Sequence, residues 1–158
     1  MKFRTFVAKF NNNQQMNTIL IGSDHAGFEM KEILKAYLLE LGNEVKDYGT
    51  YSQDSVDYPD FAHPLSKAIH TGEFEQGILV CGSGQGVCMT ANKYANVRAA
   101  LVWSAEIAGF AREHNNANIL CIPGRFVSAE VAKNCVDSFL QTPFAGGRHG
   151  IRVGKIAV

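Results

Sequence analysis

Residues 77–94, GILVCGSGQGVCMTANKY, contain the pattern that decides the fold. The apolar run 77–81 predicts a buried strand that ends on Cys81. Three glycines follow at alternate positions, and a helix is predicted from there through Tyr94. A strand, a glycine loop and a helix in succession form the repeating unit of an α/β domain.

The rest of the chain continues this alternation on both sides. Further strands are predicted over TILIGSD (18–24), EVKDYG (44–49), VRAALVW (97–103) and ANILCIPG (117–124). Helices are predicted over the apolar stripe from Met30 to Leu41, over SAEIAGFAREH (104–114) and over SAEVAKNCVDSFLQ (128–141), and YPDFAHPLSKAIHTG (58–72) is interpreted as a loop that enters another helix. Five short strands alternating with helices predict one α/β domain, in which a five-stranded parallel sheet carries helices on both faces.

No linker divides this pattern, so we predict a single domain over residues 17–158. Residues 1–16 contain the polar, low-complexity run NNNQQ and are predicted to form a disordered extension. The tail, 142–158, belongs to the domain and shows little helical pattern.

The composition excludes several classes of protein. Fifteen basic residues balance fifteen acidic ones, so no net charge attracts nucleic acid or a membrane surface. No apolar run approaches the ~20 residues of a membrane span. The four cysteines lack the paired spacing of zinc sites and redox motifs. We therefore expect a cytoplasmic protein with reduced thiols and no disulfides.

The glycine loop GSGQG (82–86) has two interpretations. Its spacing differs from the dinucleotide fingerprint, and it lacks the Gly-Lys-Ser/Thr of a P-loop. What remains is either a nest of backbone N–H groups that binds an anion, or a tight turn that needs glycine for a positive φ.

Cys81 stands at the edge of this loop, where helix N-terminal N–H groups favour a thiolate. Such a thiolate could remove a proton next to a carbonyl, while the loop donors stabilise the enediolate oxygen. The alternative is a buried strand cysteine that packs as a small hydrophobic residue. The remaining cysteines, Cys88, Cys121 and Cys135, lie in apolar patterns and are predicted to be core residues.

Polar residues follow the other strands, where α/β folds bind ligands. Asp24 and His25 follow the first strand, and Tyr58 lies in the loop after the second. His114 and Asn115 close the helix after the fourth strand, either as helix-end residues or as an acid/base and a substrate-orienting amide. Basic residues near the end of the chain form either an anion site or a solvated tail: Arg125, Arg148, His149 and Arg152.

Together these motifs resemble one family, the B-type ribose-5-phosphate isomerases, which are grouped with the galactose-6-phosphate isomerase subunits of the lactose pathway. The matching stretches run from about Thr18 to Val153: GSDHAGFEMK (22–31), DYPDFA (57–62), GILVCGSGQGVCMTANK (77–93), VRAALV (97–102), HNNANIL (114–120) and GGRHGIRV (146–153). The glycine loop that follows the cysteine, the His-Asn pair and the Gly-Gly-Arg-His segment make the resemblance specific.

The resemblance implies an aldose–ketose isomerase that interconverts ribose 5-phosphate and ribulose 5-phosphate. His114, aided by Asp24, would open the sugar ring, and Cys81 would move a proton between C2 and C1 through a cis-enediolate. Ser83, at a position often filled by threonine in the family, would relay a proton between the two oxygens.

The same resemblance assigns the binding residues. Backbone N–H groups of Gly82, Gly84 and Gly86 would hold the oxyanion. His25, Arg148 and Arg152, with Arg125, would hold the phosphate, while Tyr58 and Asn115 would line the sugar. The implied chemistry needs neither metal nor cofactor.

The family also implies a Rossmann-like αβα domain that forms a homodimer, or a tetramer built from such dimers, with each cleft built from both subunits. Two alternatives remain open. The substrate could be a six-carbon sugar phosphate such as galactose or allose 6-phosphate. Less favoured is a non-catalytic nucleotide-binding module, because the glycine spacing is wrong and the next strand ends without an acidic residue for a ribose.

Overall fold

The computed structural model describes residues 17–158, so the prediction for residues 1–16 lies outside the described residues. A five-stranded parallel sheet has the strand order β2-β1-β3-β5-β4. Its strands are β1 (Thr18–Ser23), β2 (Glu44–Asp47), β3 (Gln76–Cys81), β4 (Ala99–Leu101) and β5 (Ile119–Pro123). The helices are α1 (Phe28–Glu40), α2 (Tyr58–His70), α3 (Gln85–Ala91), α4 (Ala105–Asn115), α5 (Ala129–Gln141) and α6 (Gly147–Val153).

The sheet separates two apolar layers, as the predicted αβα fold requires. Side chains alternate between the faces of a strand, so successive residues of β1 enter different layers. Ile19 and Ile21 pack with Leu34 of α1 in the layer that also holds α4 and α5. Leu20 packs with Leu65 of α2 in the layer that holds α3. The predicted sheet, its parallel direction and its cover on both faces are therefore confirmed.

The second helix begins earlier than the sequence indicated. The sequence interprets 58–72 as a loop that enters a helix, but α2 begins at the first residue of this segment, Tyr58. Pro59 lies in the first turn, where a missing N–H costs no intrahelical hydrogen bond. Pro64 stands inside the helix and made the segment resemble a loop.

The tail also differs from the prediction, because residues 147–153 form α6. This helix buries none of its side chains, so it has no apolar face and no periodic signal in the sequence. Its N-terminus is set by Gly146 and Gly147, which have φ values of 65° and 53°.

Among residues 17–158, no helix combines the length and apolar character needed to cross a bilayer.

Candidate active site

The carboxyl ends of β1, β3 and β5 meet at one edge of the sheet. Ser23 at the end of β1 is in register with Val80, and Cys81 is in register with Pro123. The residues that follow each strand therefore start from adjacent positions. This places Asp24, the glycine loop and Arg125 at the same edge.

Cys81 is 5% exposed and faces the backbone of its own loop. The N–H of Gly84 donates to the Cys81 Sγ atom at 3.1 Å. Gly84 has a φ of 73°, and a Cβ there would lie 2.6 Å from the Leu101 Cδ1 atom and 3.0 Å from the Pro123 nitrogen. The loop is thus both a tight turn that requires glycine and a source of an N–H donor for the sulfur.

The rest of the loop is partly accessible. Ser83 and Gly86 are half-buried, and the Ser83 hydroxyl accepts the N–H of Gln85 at 3.4 Å. A Cβ on Gly86 would lie 2.7 Å from the Cζ atom of Tyr58, so the Tyr58 ring packs directly on the loop. Tyr58 therefore lies, like Ser83, at the glycine loop that follows Cys81.

Asp24 is buried against the end of β3. Its N–H donates to the carbonyl of Val80 at 3.3 Å, and its Oδ1 atom accepts the N–H of Gly27 at 3.0 Å. A Cβ on Gly27 would lie 2.5 Å from the Val80 oxygen. Glycine therefore allows the start of α1 to approach β3 and keeps the Asp24 carboxyl beside the residue that precedes Cys81.

His25 and Arg125 line a cavity of about 400 Å³ at this edge. The Nδ1 atom of His25 lies 3.2 Å from both the N–H and the carbonyl of Val56, so its tautomer decides which of the two it pairs with. The N–H of Arg125 donates to the Gly82 carbonyl at 3.1 Å, which joins the cavity to the glycine loop.

The other predicted site residues lie elsewhere. After β4, helix α4 starts at the carboxyl edge of the sheet and runs to Asn115, from which the chain enters the amino end of β5. His114 and Asn115 are therefore at the opposite edge from Cys81. Asn115 lines a larger cavity of about 540 Å³ together with Arg98 and residues 156–158.

Helix α6 joins this second cluster. The N–H of Ala145 donates to the Glu113 carbonyl at 3.0 Å, and the His149 ring stacks on His114 with centroids 4.3 Å apart and planes within 7°. Arg148 and Arg152 are exposed on the same helix, and neither forms an ion pair within residues 17–158.

His114 is held between two rings. Phe110 stacks on its other side at 5.0 Å, and the Glu113 carboxylate lies 3.5 Å from its Nε2 atom. The pKa of His149 is lowered by desolvation and then by the charges of His114, Arg148 and Arg152. Sequence reasoning missed Phe110, although its spacing of four residues from His114 places both on one helix face.

The chain therefore divides the predicted residues into two clusters. The thiol cluster holds Asp24, His25, Tyr58, the loop 81–86 and Arg125. The histidine cluster holds His114, Asn115, Arg148 and Arg152. One chain does not bring the two clusters together, because the sheet lies between their edges.

The remaining cysteines differ from one another in their burial. All four thiols are free. Cys121 is buried, and burial followed by its contact with Cys88 raises its pKa. Burial raises the pKa of Cys135 to about 11. Cys88 is half-buried and packs against the apolar layer that holds α3, so it lies at the edge of the core, where its thiol donates to the Ala99 carbonyl.

A buried thiol that accepts the Gly84 N–H lies at the carboxyl edge of a parallel sheet, where α/β folds bind their ligands. Residues 19–156 match the model of the family described as Ribose/Galactose Isomerase, and the chain belongs to that family. It is 46% identical to a probable ribose-5-phosphate isomerase B of Mycoplasma pneumoniae, over 90% of this chain and 95% of that protein. It is 42% identical to ribose-5-phosphate isomerase B of Escherichia coli, over 89% and 95%.

Solved structures give the same result. The ribose 5-phosphate isomerase of Thermotoga maritima superposes with a TM-score of 0.87 at 53% identity, over 89% of this chain and 97% of that one. Ribose-5-phosphate isomerase B of Mycoplasma genitalium, solved with bound ribulose-5-phosphate, gives 0.84 at 44% identity, over 88% and 93%. The resemblance inferred from the sequence motifs is confirmed.

Proposed function

We propose that this chain interconverts ribose 5-phosphate and ribulose 5-phosphate. The observation that carries the proposal is the Cys81 thiol facing the Gly84 N–H, in a chain that belongs to an isomerase family. The Mycoplasma genitalium relative with bound ribulose-5-phosphate supports a pentose phosphate as the ligand.

The thiol cluster supplies the proton transfer. The Cys81 thiolate removes the C2 proton of the open-chain aldose, and the electron pair forms the C1–C2 double bond of a cis-enediolate. The same proton returns to C1, while the Ser83 hydroxyl moves a proton from the oxygen on C2 to the oxygen on C1. The N–H groups of the glycine loop stabilise the oxyanion, and one such donor contributes about 10²–10³ in rate.

Ring opening and phosphate binding require the histidine cluster. We assign the ring-opening acid/base to His114 of the partner subunit, beside Asp24 of the thiol cluster. The cavity at His25 and Arg125 takes the phosphate, and the partner's Arg148 and Arg152 complete it, because guanidinium groups bind phosphate oxygens in pairs. The proposed enzyme is thus a homodimer with two shared sites.

Exposed apolar side chains support a protein contact between the two clusters. Met89 of α3, Trp103 after β4 and Phe110 of α4 are 64%, 57% and 43% exposed. Along the chain, Met89 precedes the short edge strand β4, and Trp103 and Phe110 follow it. Large exposed apolar side chains of this kind are typical of an interface.

A six-carbon sugar phosphate is the second candidate, because the family description includes galactose isomerases. The relatives with solved structures described above are named for ribose 5-phosphate, which favours the pentose. A nucleotide-binding module without catalysis is not retained, since the chain belongs to an isomerase family. The four free thiols support a cytoplasmic location.

The test is turnover of ribose 5-phosphate by the purified chain without added metal, with galactose and allose 6-phosphates in parallel. We expect ribulose 5-phosphate as the main product. Cys81→Ala should lower kcat by about 10³-fold, within the range of general acid–base contributions, and keep sugar-phosphate binding by calorimetry. Cys88→Ala is the matched control and should stay within about threefold of the unmodified chain, since a small change at a half-buried site removes no catalytic group.

Two results would count against the proposal. If the unmodified chain turned over only a six-carbon substrate, the pentose assignment would be wrong. If Cys81→Ala kept near-normal kcat, another group would have to move the proton.

A further inference from the structure

We propose that Lys31 is a positioning residue for the sugar-phosphate site. It would act through Asp47 on segment 48–57, the connection between β2 and α2 that holds His25 and leads to Tyr58. The inference rests on the proposed function, since it assigns Lys31 a part in ligand binding at the same site.

Lys31 is fixed because its side chain is fully buried. Its Nζ atom donates to the Asp47 Oδ2 atom at 2.7 Å and to the Glu32 Oε1 atom at 2.6 Å. The rings of Phe28 and Tyr51 lie 5.5 and 5.6 Å from the ammonium. A buried ammonium is costly without such partners, so the ion pair strongly restrains the Asp47 carboxylate.

Asp47 transmits this restraint to the backbone after β2. Its Oδ1 atom accepts the N–H of Gly49 at 2.8 Å, and its carbonyl accepts the Tyr51 hydroxyl at 3.1 Å. The Gly49 carbonyl accepts the N–H of Ser23 at 2.6 Å, and the Thr50 N–H donates to the Ser23 carbonyl at 2.7 Å. The segment is therefore tied to the residue that precedes Asp24.

The far end of the segment reaches the site itself. Val56 pairs with the Nδ1 atom of His25, which fixes the ring and leaves the Nε2 atom for the cavity. The Gln53 side chain donates to the Glu29 carboxylate at 2.6 Å on the cavity wall. Without the anchor at Asp47, the segment would hold His25 less firmly, and Tyr58 would start α2 from a less defined position.

Lys35 provides a matched comparison. Its Nζ atom reaches the same Asp47 Oδ2 atom at 2.8 Å, yet its side chain is 34% exposed. Because the lysine end of this pair is partly exposed, solvent and salt screen it more than the buried Lys31 pair, and the Lys35 side chain is freer to move. Loss of Lys35 should therefore leave the segment in place, whereas loss of Lys31 should not.

The experiment compares Lys31→Met, Lys35→Met and Asp47→Asn with the unmodified chain. It measures KM and kcat for ribose 5-phosphate, and Kd for inorganic phosphate by calorimetry. We expect Lys31→Met and Asp47→Asn to raise KM and phosphate Kd about tenfold, or ~1.4 kcal/mol, with kcat within about threefold. Lys35→Met should change neither constant. The double variant Lys31→Met with Asp47→Asn should be no weaker than the single variants, because both act through one contact.

A purely structural role for Lys31 would lower the melting temperature but leave KM and Kd of the folded protein unchanged, and that result would overturn the inference. Multiplying effects in the double variant would also overturn it. Turnover by the unmodified chain tests the proposed function separately, since phosphate binding is measured without catalysis.

If the variants do not fold, hydrogen exchange of the unmodified chain tests whether phosphate binding stabilises segment 48–57. Phosphate should slow exchange of the Gly49, Thr50 and Val56 amides, whose hydrogen bonds form the proposed path. Unchanged exchange of these amides at saturating phosphate would contradict the role of the segment.

Discussion

Gly84 shows how one residue serves both the fold and the proposed chemistry. Its positive φ begins α3, its missing Cβ leaves room for Leu101 and the β5 backbone, and its N–H points at the Cys81 sulfur. A side chain at this position would strain the turn and shift the donor from the sulfur. Stability and catalysis should therefore be lost together when Gly84 is replaced.

Gly84→Ala is expected to lower the free energy of unfolding by roughly 2–4 kcal/mol, from the left-handed backbone and the clash combined. It should also reduce kcat for ribose 5-phosphate about 10²-fold, because the oxyanion loop is displaced. Urea denaturation and initial rates measure the two effects.

Gly42→Ala is the control for backbone strain alone. Gly42 has a φ of 85° and open space around its Cα, so alanine there should cost about 1–2 kcal/mol and leave kcat unchanged. A Gly84→Ala variant with unaltered kcat would contradict the assigned role of the loop.

The candidate site could be located from the sequence more readily than its roles could be assigned. Cys81 stood out because a strand ends there and a glycine loop follows. A buried strand cysteine has the same local pattern, so only the resemblance favoured a catalytic role. The stacking of His149 on His114 joins two helices distant in sequence, and no local pattern encodes such a contact.

Among the elements, burial decided which were predictable. The strands β1, β3 and β5 were predicted because their side chains are buried and form short apolar runs. The more exposed β2 and the partly buried β4 were predicted as well, from shorter alternating or apolar segments. Helix α6 was missed because it buries no side chain, and Pro59 and Pro64 gave the start of α2 the sequence pattern of a loop. A sequence pattern reflects the burial of apolar side chains, so an element that buries few of them is hard to predict.

The connection after β2 should be sensitive to acid. Burial raises the pKa of Asp47, but hydrogen bonds from Lys31, Lys35 and the Gly49 N–H outweigh it and leave the pKa below its ordinary 3.8. The folded chain thus binds this proton less readily than the unfolded chain. The resulting stability is present above pH 3.8 and is lost as the pH falls toward the folded pKa.

Below about pH 4 we expect the free energy of unfolding to fall more steeply in the unmodified chain than in Asp47→Asn, which lacks this titration. Urea denaturation at several pH values measures the slopes. Asp54→Asn, at an exposed carboxylate of the same connection, should keep the slope of the unmodified chain. Equal slopes for all three proteins would show that Asp47 does not contribute to the loss of stability in acid.

For the whole molecule, the separation of the thiol and histidine clusters makes a direct test of the shared site possible. Cys81→Ala and His114→Ala should each be inactive as pure proteins. After both are unfolded and refolded together in equal amounts, about a quarter of the activity should return, because half of the dimers are mixed and each has one intact site.

Mixing Cys81→Ala with Asp24→Asn is the control. Both changes affect the thiol cluster, so every mixed dimer carries a damaged residue in each site and no activity should return. Failure of the first mixture to recover activity would mean that the two clusters do not meet across a dimer.

Helix α6 has a consequence for how such an enzyme can change during evolution. It carries Arg148 and Arg152, the proposed phosphate ligands, yet contributes no buried side chain, so substitutions there cost the core little. Selection for a different ligand can therefore act on this helix while the sheet and the thiol loop stay constant. A family that includes ribose and galactose isomerases is consistent with a scaffold whose ligand contacts vary independently of its stability.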